Sequence, residues 1–581
     1  MRIKDRIVSR YYATPQQYDV IVYTENNHYY AKDERGNTIC IDSPTACLQE
    51  SVNYLRQFGG GSILVKKGMY YPTRIVYIPN GINLLIEGEG NSTVFRYTDL
   101  STLFRHVPST PTWTSVLIFR NLKIDRTGSG TNKSIDFFIS YAKYVKYENI
   151  EIVDDYRDTD GDVGLYGFNN FVVIAEKNRI YGKGAGISLY GHIVVLRENY
   201  VENNARAGII GAGFLPNATV PPGYYGGITI IEDNICVDCG RTDEAIAVDY
   251  WVVNPVQEAI GVIRNNLIMT KNYSMKSAIA ITRATHIIVE GNKVIGSVSA
   301  VPVGVQWFNP IKYLVLRNNI INVNQVSATI KSIILANTVI VEGNEINVTS
   351  SLDQNTGAWT EIWADYLVFK NNKISISPKS GYTTEFILQT VPLGNANLYA
   401  VVENNYFDAP TNGAPIRFGG TSPVVRYVWF MRNIINNTTY TDNFLLLSGS
   451  DNDITYYVVV RDNVVLGTLR NRIAINNYTS GKTTTAIIDT DVGIANWGNA
   501  IFKFAKRYAG YATFSGDGTT TQFRIQHNLV STPRKIIVTP ASKDAASQFY
   551  VTADYTYIYV NYLTAPPQGT NNVVLSWYAE V

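Results

Sequence analysis

A short acidic segment is the first part of this sequence with the residue types and spacing of acid–base chemistry. Asp243, Glu244 and Asp249 lie in RTDEAIAVDY, whose apolar residues fit a strand. Hydrolysis of a glycosidic bond needs two carboxyl groups about 5 to 10 Å apart with different pKa values. We expect Asp243 and Asp249, or one of them with a residue on a neighbouring segment, to meet that distance. Arg283 is a candidate base for elimination, the alternative chemistry, although its carboxylate partners are not evident.

Aromatic residues follow several predicted strands and would give sugar rings a surface for stacking. Such side chains combine a flat apolar face with a polar edge, and hydrogen-bonding groups flank them here. An insertion at residues 214–227 is expected to protrude as a loop beside the same surface. The candidate glycan-binding residues are Tyr224, Tyr225, Trp251, Trp307, Trp359 and Trp363. The alternative is packing, since tryptophan in a turn is often half buried.

A third group of carboxylates has the alternating oxygen ligands that suit calcium. Asp158, Asp160 and Asp162 lie in RDTDGDVG. The segment lacks the downstream Glu of an EF-hand loop, and an acidic turn of this length is more commonly solvated. We therefore predict no cofactor, with Ca²⁺ at these three residues as the open alternative.

A repeat positions all of these residues. A polar pair and an asparagine stand between apolar runs, and the motif recurs every 21 to 35 residues. A period in this range indicates a solenoid, and the Val- and Ile-rich flanks favour strands. We infer a parallel β-helix in which equivalent residues stack about 4.8 Å apart and asparagines pair along the stack. The repeated residues are Asn121, Asn149, Asn178, Asn199, Asn234, Asn266, Asn292, Asn319, Asn344, Asn372, Asn405, Asn433 and Asn463.

The remaining segments predict the ends of this solenoid. Residues 1–42 read as an arm with a hairpin, and residues 43–61 as a helix that caps the first coil. The β-helix is predicted over 62–495 and a linker over 496–510. Strands separated by turn signals at 511–581 predict a small antiparallel β-sandwich.

Residues 59–97 carry a family resemblance. The order of helix, glycine turn, strand, Lys-Gly-Met-Tyr, Pro-Asn-Gly and Gly-Glu-Gly is similar to the opening of pectate-lyase-like right-handed parallel β-helix proteins. That group includes polysaccharide lyases, glycoside hydrolases and viral tailspikes and tail fibres. The resemblance continues through the repeats and implies a right-handed solenoid whose lateral sheet binds polysaccharide. The Asn-Thr-Asp and Gly-His-Gly signatures of the polygalacturonase branch are absent, so it implies the fold more than an activity.

The composition of the chain argues against some classes of function. A net charge of +2 with 17% charged residues disfavours nucleic acid, which needs a concentrated basic face. The sequence has neither a membrane-length apolar run nor a signal-peptide core at its start, which predicts a cytoplasmic protein or one released by another route. With the resemblance, this predicts a virion spike or fibre that binds a cell-surface glycan, attaches to other virion proteins through its N-terminal arm and forms a homotrimer. The alternative functions are a polysaccharide depolymerase and a purely structural part of the virion. The alternative location is extracellular.

Four cysteines are too few for a disulfide scaffold. Cys40 and Cys47 are close enough in sequence to bridge across the first cap. Cys236 and Cys239 form a lone CxxC, for which buried thiols or a local disulfide are favoured over a zinc site.

Overall fold

A computed structural model of the protein describes residues 17–581 with internal gaps. The gaps are residues 99, 111, 128–132, 156–161, 215–225, 251–257, 283, 300–301, 306–310, 327–331, 351–359, 394–396, 420–423, 450–453, 478–482, 499 and 505. The chain divides into two compact units. The first unit is Met1–Leu335 with Asn344–Leu352, and the second is Ala336–Gly343 with Asp353–Val581.

The first unit opens with a hairpin and a helix. Strands β1 (Val20–Glu25) and β2 (His28–Asp33) pair antiparallel, β3 (Thr38–Ile41) joins β2, and the helix α1 covers Leu48–Arg56. Leu48, Val52 and Leu55 are the buried face of α1. A disulfide joins Cys40 to Cys47, as expected from their spacing.

The rest of the first unit consists of short strands in parallel pairs. They are β4 (Gly60–Val65), β5 (Gly68–Tyr70), β6 (Val76–Tyr77), β7 (Asn83–Gly88), β8 (Thr93–Arg96), β9 (Phe104–His106), β10 (Val116–Arg126), β11 (Ile135–Ile139), β12 (Tyr144–Asp154), β13 (Val163–Glu176), β14 (Arg179–Tyr181), β15 (Ala185–Arg197), β16 (Tyr200–Glu202), β17 (Ala207–Ala212), β18 (Gly227–Glu232), β19 (Ile235–Val237), β20 (Glu244–Asp249), β21 (Ala259–Arg264), β22 (Leu267–Met269), β23 (Ser277–Thr282), β24 (His286–Glu290), β25 (Lys293–Val298), β26 (Val303–Val305), β27 (Ile311–Arg317), β28 (Ile320–Gln325) and β30 (Glu345–Ser350). Strand β1 also pairs parallel with β4, which places the hairpin beside the first coil.

The second unit continues this pattern and ends in a different module. Its parallel strands are β29 (Ser332–Glu342, which begins in the first unit), β31 (Thr360–Trp363), β32 (Tyr366–Lys370), β33 (Lys373–Ser377), β34 (Leu388–Val391), β35 (Leu398–Glu403), β36 (Tyr406–Asp408), β37 (Ile416–Phe418), β38 (Val424–Met431), β39 (Ile434–Asn437), β40 (Asn443–Gly449), β41 (Ile454–Arg461), β42 (Val464–Gly467), β43 (Arg470–Asn477), β44 (Thr484–Thr490), β45 (Gly493–Gly498) and β46 (Ala500–Phe504). The terminal strands are β47 (Arg507–Gly516), β48 (Gln522–Gln526), β49 (Lys535–Pro540), β50 (Phe549–Ala553), β51 (Tyr557–Tyr562) and β52 (Gly569–Glu580).

Successive coils keep a fixed register. Ile209, Ile246 and Ile279 stack on one another through β17, β20 and β23, and all three side chains are buried. Alternate residues on such strands point outward, because the side-chain period of a strand is two. In the first unit, β9, β11, β17, β20, β23, β26 and the first halves of β13 and β15 form one sheet, which we call the lateral sheet.

Asparagines form a ladder at one corner of the coils. From Asn199 to Asn344 in the first unit, and from Asn405 to Asn463 in the second, each Oδ1 accepts from the backbone N–H and the Nδ2 of the preceding ladder asparagine at 2.9–3.1 Å. The residue before each ladder asparagine has φ between +54° and +66°. The left-handed turn directs the amide inward, and its hydrogen bonds offset the strain of that conformation.

The ladder differs from the prediction in its first two coils. Asn121 and Asn149 themselves have positive φ and project outward, where Asn149 Nδ2 donates to Asn121 Oδ1 at 2.8 Å. Ile150 instead lies at the ladder corner, and its N–H donates to Asn178 Oδ1 at 2.9 Å. Eleven of the thirteen predicted asparagines therefore form the ladder.

The predicted fold class is confirmed: an all-β chain built on a parallel β-helix, with an N-terminal helix and a C-terminal antiparallel module. That module has two three-stranded sheets, β47–β52–β49 and β48–β51–β50, around a core that includes Phe523, Ile558 and Trp577. The predicted boundaries stay a prediction, although the supposed linker 496–510 contains parts of β45, β46 and β47.

Cys236 and Cys239 are buried free thiols. Across the described residues, no helix is long and apolar enough to cross a membrane.

Candidate functional site

The outer surface of the lateral sheet carries a group of aromatic rings, which we call the aromatic face. Phe138, Tyr166 and Ser188 occupy equivalent positions on β11, β13 and β15. The ring centroids of Tyr166 lie 5.2 Å from Phe138, 6.2 Å from Phe168 and 6.4 Å from Tyr190. These four rings are half buried, so each one keeps part of its surface in solvent. The face therefore presents flat apolar area across consecutive coils.

Polar groups border the aromatic face. The Arg105 guanidinium lies 5.4 Å from the ring centre of Phe138, and Ser188 Oγ donates to the Tyr190 hydroxyl at 3.3 Å. Burial is the main reason that the pKa of Tyr190 rises to about 12, and burial also raises the pKa of Tyr166. Both phenols are neutral near pH 7 and can donate and accept hydrogen bonds.

An acidic pair lies on the same sheet at the start of β20. Burial is the largest cause that raises the pKa of Glu244 to about 8, and a hydrogen bond and the charge of Asp243 act in the same direction. Asp243 also binds the Arg206 Nε at 3.3 Å. Near neutral pH the Glu244 carboxyl therefore holds a proton that it can donate to a bound hydroxyl group, and the Asp243 oxygens can accept hydrogen bonds.

The structure separates Asp249 from this pair. Asp249 lies at the far end of β20, five residues from Glu244, and an extended strand places their Cα atoms about 16 Å apart. Thr282 Oγ1 donates to Asp249 Oδ1 from the next coil. The length of β20 therefore keeps Asp243 and Asp249 farther apart than the expected 5 to 10 Å, and a pairing of either one with a residue on a neighbouring coil stays a prediction.

The Glu244 carboxyl predicts a stability that depends on pH. A folded-state pKa above the unfolded value means that the folded chain holds the proton longer, so stability falls between about pH 5 and pH 8. Glu244→Gln mimics the protonated acid and removes that fall. We expect the variant to gain on the order of 2 to 4 kcal/mol relative to wild type between pH 5 and pH 8, measured by urea unfolding. A Glu258→Gln control, at an exposed side chain, should show no such trend.

A second polar group lies on the sheet formed by β31, β34 and β37 in the second unit. Trp363 Nε1 donates to Glu361 Oε1 at 3.1 Å. Glu361, Gln389 and Arg417 stack in register on three coils, and Arg417 Nη1 lies 3.5 Å from Glu385 Oε1. Trp363 is half buried beside this column, and its role in glycan binding stays a prediction.

Asp162 faces the interior of the first unit. Its Oδ1 accepts from Lys183 Nζ at 2.9 Å, and its side chain is fully buried. Burial raises the pKa of this carboxyl, against the lowering effect of the Lys183 charge. An ammonium group thus contacts Asp162, the one candidate calcium ligand among the described residues, and calcium binding by this segment stays a prediction. Among the described residues, no group of three His, Cys, Asp or Glu side chains is arranged to hold a metal ion.

Other predicted site residues lie outside the described residues, and their roles stay predictions. They are Arg283, Tyr224, Tyr225, Trp251, Trp307, Trp359, Asp158 and Asp160.

The aromatic face itself was missed from the sequence. Tyr166 and Phe168 alternate on one strand of GLYGFNN, and Tyr190 ends the strand GISLY. Alternation of this kind indicates one shared outward side, but it does not show which coils stack. Aligning the strands on the ladder asparagines, Asn178 and Asn199, would have placed Tyr166 and Tyr190 on neighbouring coils.

Comparisons with known proteins find phage tailspikes among the solved structures. No protein-family model matches the sequence, and no curated protein matches it. Among solved structures, the tailspike of Pseudomonas phage phi297 is 10% identical, with 92% of each chain covered and a TM-score of 0.34. The tailspike of Pseudomonas phage LKA1 is 10% identical over 92% of each chain, with a TM-score of 0.33. The tailspike of E. coli bacteriophage HK620, solved with a pentasaccharide, is 12% identical over 94% of this chain and 92% of that one, with a TM-score of 0.40. With TM-scores below 0.5, these likenesses add nothing to what the chain's own residues indicate about its site.

Proposed function

We propose that this protein is a virion spike that recognises a cell-surface polysaccharide on its lateral sheet. The observation that carries the proposal is the aromatic face, in which Phe138, Tyr166 and Tyr190 expose ring surface on consecutive coils. A polysaccharide presents one sugar after another, and a solenoid presents one row of side chains after another. The nearly neutral chain suits a ligand whose binding depends on stacking and hydrogen bonds more than on charge.

Hydrogen bonds supply the specificity that stacking lacks. Arg105, the Tyr166 and Tyr190 hydroxyls and the Asp243–Glu244 pair offer donors and acceptors along the same sheet. The protonated Glu244 carboxyl can donate to a sugar oxygen, and the Asp243 oxygens can accept from a hydroxyl. The surface therefore fits an oligosaccharide with free hydroxyl groups.

Loss of the rings should weaken binding. We expect Tyr166→Ala and Tyr190→Ala each to raise the Kd for a bound surface polysaccharide about five- to thirty-fold, or about 1 to 2 kcal/mol. Isothermal titration calorimetry against polysaccharide purified from the host checks this. Tyr77→Ala, at an exposed tyrosine of the first unit, is the matched control. Equal Kd values for all three variants would mean that the aromatic face does not bind the polysaccharide.

Cleavage of the same polysaccharide is the second candidate. The raised pKa of Glu244 favours it, since a general acid must hold a proton near the working pH. The separation of the acids opposes it, since Asp243 and Glu244 touch and Asp249 lies about 16 Å away. We therefore favour recognition of the polysaccharide without cleavage over its hydrolysis. Reducing-end assays decide the matter: release of new ends by wild type and none by Glu244→Gln would establish hydrolysis.

We place subunit contacts of the proposed homotrimer on an exposed strip of the second unit. The rings of Tyr366, Tyr399, Tyr427 and Tyr457 stack at 4.8–5.2 Å with interplanar angles of 6–12°. Trp429 lies beside them, and Tyr366, Trp429 and Tyr457 are exposed. An exposed apolar strip of this kind is typical of a protein interface. The N-terminal arm is proposed to attach the spike to other virion proteins.

A charge on this strip should break the assembly. We expect the double variant Tyr427→Glu, Trp429→Glu to elute as a monomer in light scattering, because two buried carboxylates without partners cost several kcal/mol at each contact. Tyr550→Glu, at an exposed tyrosine of the C-terminal module, should leave the assembly unchanged. A trimer in both variants would place the subunit contact elsewhere.

A further inference from the structure

A lysine and three aspartates lie together in the interior of the first unit. Lys183 Nζ is 3.0 Å from Asp136 Oδ2, 2.9 Å from Asp154 Oδ2 and 2.9 Å from Asp162 Oδ1. All four side chains have no exposed surface. Arg126 lies 3.7 Å from Asp154 and is also fully buried. Two cations thus face three carboxyl groups, so the cluster is neutral when one aspartate holds a proton.

Two hydroxyl groups hold one oxygen of Asp136. The Tyr97 hydroxyl and Ser134 Oγ, the latter at 3.2 Å, both donate to Asp136 Oδ1. Oδ2 has no hydrogen-bond partner in the described part of the chain, although Nζ lies 3.0 Å from it. The nitrogen is therefore close to this carboxyl group without the direction of a hydrogen bond. Since Cγ is one bond from Oδ2, Nζ lies within about 4.3 Å of the carbon.

We propose that Lys183 and Asp136 join in an amide bond between Nζ and Cγ. The Nζ–Cγ bond forms, the Cγ–Oδ2 bond breaks, and Oδ2 leaves as water with the two protons that the ammonium gives up. The reaction is a condensation, so it needs neither an oxidant nor a cofactor. The product ties strand β11 to the turn that follows β14.

The surrounding groups supply what this condensation requires. Asp154 and Asp162, each 2.9 Å from Nζ, accept the proton that the ammonium must lose to become a nucleophilic amine. Tyr97 and Ser134 stabilise the charge that develops on Oδ1, as donors do in an oxyanion hole. Fixed proximity replaces the encounter of two separate groups.

Burial also favours the product. In water an ammonium and a carboxylate are stable as separate ions, and an amide does not form from them spontaneously to a useful extent. In the interior both charges lose their hydration, whereas a neutral amide needs only hydrogen bonds. Condensation removes one positive and one negative charge, and Arg126 with the two remaining aspartates stays neutral when one of these is protonated.

Mass spectrometry of the full-length protein tests the proposal. After reduction of the disulfide and denaturation, we expect the intact chain to be lighter than its sequence mass by one water molecule. Trypsin does not cut after an acylated lysine. We therefore expect a branched peptide that joins residues 134–143 to residues 180–197.

Each other outcome has a defined meaning. The full sequence mass, with tryptic cleavage after Lys183, would overturn the proposal and leave an ionic cluster. Water loss with cleavage after Lys183 would also overturn it, since it would mark dehydration of an aspartate elsewhere. A branch to residues 147–157 or 158–177 would assign Asp154 or Asp162 in place of Asp136 and contradict the proposed pair.

Two variants add chemical controls. Asp136→Asn should lose ammonia where the wild type loses water, so both proteins should reach the same final mass. Asp136→Ala should keep its full sequence mass and regain tryptic cleavage after Lys183. If either variant fails to fold, the mass and the peptide map of the wild-type protein still show whether the amide bond is present.

Discussion

Replacement of Asn234 by alanine is expected to destabilise the first unit by about 2 to 5 kcal/mol. Asn234 is fully buried in the middle of the ladder. Its Oδ1 accepts from the N–H and Nδ2 of Asn199, and its Nδ2 donates to Leu196 O and Asn266 Oδ1, all at 2.9 Å. Alanine leaves the Asn199 N–H and the Leu196 carbonyl buried without these partners, and each lost partner costs about 1 to 3 kcal/mol.

Denaturant unfolding monitored by fluorescence measures this loss. Asn322→Ala is the matched control, because Asn322 is an exposed strand amide that accepts from Asn347 Nδ2 at 2.7 Å. We expect the control to change stability by less than about 0.5 kcal/mol. Similar midpoints for Asn234→Ala and the wild type would mean that the ladder contributes little to the fold.

Replacement of Lys183 by methionine is expected to have the second large effect. Methionine fills much of the lysine volume but leaves Asp136, Asp154 and Asp162 buried with Arg126 as their nearby cation. Removing one partner of a buried ion pair typically costs about 3 to 5 kcal/mol. If Lys183 is joined to Asp136 as proposed, the same variant loses that bond and leaves the Asp136 carboxyl buried without a cation of its own. The loss should be larger at pH 8 than at pH 5, because buried carboxyls without their cation resist ionisation and are destabilising when pH rises above their unfolded pKa.

A surface lysine provides the control for this variant. Lys177 is more than half exposed, and its Nζ lies 3.9 Å from Glu198. Lys177→Met should change stability by less than about 0.5 kcal/mol, since exposed ion pairs contribute little. If both methionine variants unfold at the same denaturant concentration, the interior cluster does not support the first unit.

The repeat made the architecture predictable from the sequence. Polar residues inside a solenoid must pair with one another, so the asparagine at Asn178 and its later equivalents recur with every coil. The same pattern misled us at Asn121 and Asn149. In these two coils the residue with the left-handed backbone conformation is itself the asparagine. The next residue along the chain therefore occupies the ladder corner.

The candidate site was harder to predict for physical reasons. The contact of Trp363 with Glu361 joins residues that are close in sequence on one strand. Tyr166 and Tyr190 meet across coils, so their contact depends on a register that only the stacked structure defines. Lys183 gave no signal at all, because a lysine between glycines usually indicates an exposed turn and seldom a buried ion pair.

Hydroxyl-radical footprinting with the host polysaccharide tests the central claim most directly. Tyrosine and phenylalanine side chains oxidise in proportion to their exposure, so a ligand on the lateral sheet should lower the labelling of Phe138, Tyr166 and Tyr190. Tyr550 and Tyr555 in the C-terminal module should be labelled equally with and without ligand. Protection of the module with unchanged labelling of the aromatic face would contradict the account, since the polysaccharide would then bind away from the lateral sheet.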